Sequence, residues 1–241
     1  MAGCPIVFLL NADNTLLDDD GVRQDVEDRL ERDLGVASRE RYSRILQGLF
    51  AELGYRDYVG AFQRYQIDQP PEAELLSLSS FLLEYPFGRR LFPTALDVLK
   101  RLRKLAPTVI LAEGNVVFQA RKLERAGLSE AVEGRVLIHA RWETALQEVE
   151  RRFPAEHYVL VDDKLRVLDA ARKIWGTRVT TVLTRQQVDV SGANSLRTSP
   201  RVDVTITRIS DLLGDLPRLW TAPQLIPRVR TREMRLLAPA E

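Results

Sequence analysis

The stretch PIVFLLNADNTLLDDD, residues 5–20, decides how this chain reads. The run from Pro5 to Leu10 has the aliphatic and aromatic content of a buried strand, yet it ends directly on Asn11, Asp13 and Asn14. Buried amides and carboxylates are costly unless they are paired. A core strand that stops on such a cluster therefore marks either a capped turn or a crevice where polar chemistry is done. A second strand-like run, HYVLVDDK at 157–164, stops in the same way on Asp162 and Asp163.

Between these two ends the chain changes character twice. From 21 to 88, segments such as DVEDRLERDLG, RYSRILQGLFAELGY and EAELLSLSSFLLEY place apolar residues three and four apart, the period of amphipathic helices. Gly and Pro at LGVAS, LGY and IDQPPE break this block into separate helices. From FPTALDVLKRLRKLAP onward helices alternate with short apolar strands: TVILA, GRVLIH, HYVLVDD, RVTTVLT and VDVTI. That alternation predicts a doubly wound, Rossmann-like α/β core with a parallel sheet. The core is expected at 1–20 and 89–215, with an all-helical insertion at 21–88 and a tail at 216–241. Residues 186–200, rich in Ser, Asn and Gly, read as a surface loop.

The chain has 241 residues, enough for one full core plus a smaller module. With 35 basic and 34 acidic residues it has a formal net charge of +1, which provides no global field for nucleic acid or an anionic membrane. Neither partner is expected. PIVFLL is too short for a membrane span and lacks the basic lead of a signal peptide, and the single Cys4 fits a reducing, cytoplasmic setting.

In open parallel sheets ligands bind at the carboxyl ends of the strands. Asp13, Asp162 and Asp163 are thus candidates to converge on one hard cation with oxygen ligands, Mg²⁺ before others. The plainer alternative is that these residues cap turns.

In order along the chain, NADNT (11–15), the helical block after it, LFPTALDVLKRLRKL, VILAEGN and YVLVDDK together resemble the haloacid dehalogenase-like hydrolases, most of which are Mg²⁺-dependent phosphohydrolases. The resemblance spans roughly residues 5–215. It implies a helical cap domain, a metal held by residues at positions 11, 13, 162 and 163, and a small phosphorylated metabolite as substrate. It also implies an attacking Asp at position 11 and an acid/base at Asp13. Thr15, Ala112, Glu113 and Gly114 would face the phosphate, with Ala112 in place of the hydroxyl of the second motif. Arg141, then His139, would be the nearest substitute for the third-motif Lys.

The chain departs from the family at the attacking residue, which is Asn11. A neutral amide is a poor nucleophile, so turnover is expected to be weak or absent. The alternative is a non-catalytic descendant that binds a ligand, or a protein through its cap or tail. A third reading, a receiver domain built on HYVLVDDKLRVLDAARKIWG, fails because TTVLTRQ lacks the phosphoacceptor Asp such a domain needs at a later strand end. Lys122 and Arg121 read as a solvated helix face, Lys164 as a partner for Asp163, and Trp175 as packing.

Overall fold

A computed structural model describes residues 4–67, 73–140, 142–186 and 202–219. The expected loop at 186–200 and all of the expected tail beyond Leu219 lie outside this set, apart from Gln186.

The opening strand β1 (Cys4–Asn11) is the centre of a six-stranded sheet with β2 (Thr108–Glu113), β3 (Val136–His139), β4 (Ala155–Asp162), β5 (Val179–Thr184) and β6 (Val204–Ile206). The strand order is β3-β2-β1-β4-β5-β6, and every pairing is parallel. The chain moves outward from β1 to β3 on one side, then crosses back to β4 on the other. The order therefore reverses at β1, and the carboxyl ends of β1, β2 and β4 border the crevice where doubly wound sheets bind ligands.

The helices α1 (Asp19–Leu34), α2 (Val36–Leu53), α3 (Tyr58–Gln66) and α4 (Ala73–Leu83) are inserted between β1 and β2. Among the described residues of 21–88 no strand occurs. Helix α1 begins at Asp19, so the expected boundary after residue 20 falls in its first turn. The rest of the chain adds α5 (Ala95–Leu105), α6 (Val116–Arg125), α7 (Leu128–Ala131), α8 (Trp142–Arg152), α9 (Leu165–Trp175) and α10 (Asp211–Leu219).

Alternation along the strands sends side chains to two apolar cores. Phe8, Leu10, Ile110 and Ala112 pack with α5, α6, α10 and the inserted helices. Val7, Leu9, Val109 and Leu111 pack on the other face with α8 and α9, where Trp175 stacks on Tyr158 at 4.3 Å between ring centroids. Among the described residues no helix is long and apolar enough to cross a membrane.

Candidate functional site

Three strand ends build the site. At the end of β1, Asn11 is buried, and its Nδ2 donates to the Asp13 carbonyl at 2.8 Å and to Asp163 Oδ1 at 2.9 Å. The amide thus ties the β1 loop to the end of β4, across the sequence separation the opening stretch left open. Asn14 has a different task. It adopts φ 57°, a left-handed conformation that Asn tolerates better than most residues, and its Oδ1 accepts the Asp19 N–H at 3.0 Å in the first turn of α1. Thr15 is fully buried beside Asn11.

The Asp13 carboxylate is held from α6. Lys122 Nζ lies 2.6 Å from Asp13 Oδ1 and 2.8 Å from Asp19 Oδ1, and Gln119 Nε2 donates to Asp13 Oδ2 at 2.9 Å. Gly114, at φ 146°, makes this approach feasible, because a Cβ there would sit 3.0 Å from the Gln119 side chain. Asp19 is further bound by Arg56 at 2.9 Å and by the Tyr58 hydroxyl at 3.1 Å, while Arg56 also pairs with Asp20.

The electrostatics follow from burial and partners. Burial opposes ionisation of Asp19, but Lys122 and Arg56 outweigh it and hold the carboxyl well below the usual range. Burial likewise opposes the charge on Lys122, yet Asp13 and Asp19 push its ammonium up. For Asp13, burial prevails over Lys122 and the carboxyl is raised.

At the end of β4 the balance differs. Asp162 is fully buried; its Oδ1 accepts the Lys164 N–H at 2.8 Å, while its Oδ2 meets no hydrogen-bond donor among the described residues. Burial first, and the neighbouring Asp163 charge second, raise Asp162 well above the carboxylate range. Burial raises Asp163 as well. Lys164 opposes both shifts, but its ammonium does not outweigh the burial of the two carboxyls.

Among the described residues no three His, Cys, Asp or Glu side chains are grouped to hold a metal. The donors present are the Asp162 and Asp163 carboxylates, the Asp13 carbonyl and the Asn11 amide, all able to offer hard oxygen atoms. The orphaned, buried Asp162 oxygen fits such a set to Mg²⁺.

The end of β2 departs most from expectation. Of the residues expected there, Ala112 packs into the core with Ile110, while the Glu113 side chain meets two basic groups. Its Oε2 receives Lys164 Nζ and Arg166 Nη2, each at 2.9 Å. Lys164 thus pairs with Glu113 rather than Asp163. Lys122, expected on a solvated face, is fully buried. The signal for it was available: on α6 the buried face consists of Phe118, Gln119, Lys122 and Leu123, and a lysine four residues after Phe118 falls on that stripe. Arg141 lies outside the described residues. His139 ends β3, with burial lowering its pKa.

A solved structure of a haloacid dehalogenase-like hydrolase from Burkholderia xenovorans LB400 is 47% identical to this chain, covers 90% of it and 98% of its own length, and superimposes with a TM-score of 0.82. The chain belongs to the haloacid dehalogenase-like hydrolases. More distant members of this hydrolase family share the fold. The hydrolase YfnB from Bacillus subtilis, solved bound to magnesium, is 18% identical over 88% of this chain and 99% of its own, with a TM-score of 0.60. The L-2-haloacid dehalogenase from Xanthobacter autotrophicus is 18% identical over 88% and 97%, with a TM-score of 0.55. No family model and no curated protein sequence matches the chain.

Proposed function

We propose that the crevice retains the cation-binding and proton-transfer parts of a Mg²⁺-dependent phosphate-monoester hydrolase but lacks the covalent part, so that turnover is weak or absent. The observation that carries this reading is the Asn11 amide, which points its N–H groups at the Asp13 carbonyl and Asp163. An attacking group must offer an electron pair to the reacting centre. A neutral amide held as a donor offers none of useful strength and forms no acyl-phosphate.

The remaining groups have chemical roles that need no nucleophile. Asp162, Asp163 and the Asp13 carbonyl would hold Mg²⁺, which supplies positive charge to an oxyanion when bound. The Asp13 carboxyl, raised by burial and oriented by Lys122 and Gln119, is placed to hold or release a proton at Oδ1 or Oδ2. A small phosphorylated metabolite is the ligand class to be tried first.

The test is hydrolysis of an aryl phosphate with Mg²⁺. The unaltered chain should be no faster than Asp13→Ala, and Asn11→Asp should gain activity. Mg²⁺-dependent turnover in the unaltered chain that disappears in Asp13→Ala would overturn the reading.

The second reading, a non-catalytic binding protein, is favoured by the end of β2. There a carboxylate of the chain already occupies two basic groups of the crevice.

A further inference from the structure

Glu113 ends β2 with its side chain only 5% exposed. Lys164 and Arg166 converge on one of its carboxylate oxygens, each at 2.9 Å. The Lys164 backbone is anchored to Asp162 Oδ1, and Arg166 also donates to the Gly54 carbonyl, at the end of α2, at 3.1 Å. The Glu113 carbonyl accepts from Gln119 Nε2 at 3.0 Å, and the same nitrogen serves Asp13. The carboxylate is therefore held from the end of β4 by Lys164 and, through Arg166, linked to the helical insertion.

An ammonium and a guanidinium converging on one oxyanion form the arrangement by which proteins recognise a ligand's carboxylate or phosphate. Here the anion belongs to the chain.

We propose that Glu113 is a resident anion: its carboxylate occupies Lys164 and Arg166 and keeps that basic pair from a small external carboxylate or phosphate. Removing the side chain converts the same two basic groups into a binding site for a small external anion. The inference concerns the crevice of the proposed function but depends neither on residue 11 nor on a bound cation.

Thermal unfolding of the full chain in EDTA, with sodium acetate or inorganic phosphate against sodium chloride of equal ionic strength, tests it. Glu113→Ala should melt below the unaltered protein in chloride. Acetate at tenfold its dissociation constant should raise the Tm of the variant by about 3 °C. The response should vanish when Lys164→Met is added. The unaltered protein should show no such rise with either anion.

A rise of equal size in the unaltered protein would overturn the proposal, and this arm needs no variant. A Glu113→Ala protein indifferent to both anions, or one that stays unfolded in acetate, would overturn it as well. Because the readout is anion binding in EDTA, it can fail while the Asn11 reading stands. The converse holds for the turnover assay.

Discussion

The two acidic ends of the crevice are built from the same side chains and differ in how their charge is balanced. At the β1 end Asp13 and Asp19 share the buried Lys122, and Asp19 has Arg56 in addition. At the β4 end Asp162 and Asp163 face a neutral amide, and one Asp162 oxygen has no donor. The first region is completed by the chain itself. At the second, Lys164 acts on both carboxyls from a distance while pairing with Glu113, and one buried carboxylate oxygen is left without a donor, which is the condition that favours an external cation.

From that contrast, the largest effect should come from removing the cation of the balanced end. Lys122→Met leaves two buried carboxylates without their shared partner, and breaking a buried pair in this way costs about 3–5 kcal/mol. Urea unfolding of the variant measures it. A loss below about 1 kcal/mol, the scale of an exposed pair, would mean that the β1 end does not depend on Lys122.

A smaller effect is expected at Asp19, and it should depend on pH. The folded carboxyl is held below its ordinary value of 3.8, so the unfolded chain binds the proton more tightly. The stabilisation is fully present above the ordinary value and is lost as pH falls through the folded one. Asp19→Asn should accordingly be less stable than the parent at pH 7, by about 1–3 kcal/mol. The gap should narrow as pH drops below about 4. A gap that stays constant from pH 7 to pH 3 would show that the charge of Asp19 is not what matters.

The smallest effect belongs to Arg166, whose side chain is 54% exposed. Arg166→Ala should cost no more than about 1 kcal/mol, because Lys164 still holds Glu113. A larger loss would place the link between the crevice and Gly54 among the main supports of the insertion.

Much of this was legible in the sequence. The apolar runs ending on acids gave the central strands β1 and β4, and the 3.6-residue period of 21–88 gave the inserted helices. The acidic ends were legible as a site because polar residues at strand ends carry a burial cost that must be met. Glu113 and Ala112 were both expected to face the phosphate, and the pattern did not separate them because the choice turns on which face of β2 each side chain takes. That depends on the register Asn11 with Leu111, a long-range pairing absent from local pattern. Lys122 was misread for another reason. Lysine is so seldom buried that its charge outweighed its position on the α6 stripe, and its partners Asp13 and Asp19 are supplied by a distant part of the chain.

We propose that the β4 end is a cation site weakened by the neutral amide at position 11. Calorimetric titration of Mg²⁺ into the unaltered chain and into Asn11→Asp tests it most directly, since the substitution adds one anionic oxygen donor where Asn11 now donates to Asp163. Both proteins should bind, with Asn11→Asp tighter by about tenfold or more, a difference of about 1.4 kcal/mol. Equal affinities, or no heat of binding with either protein, would contradict it.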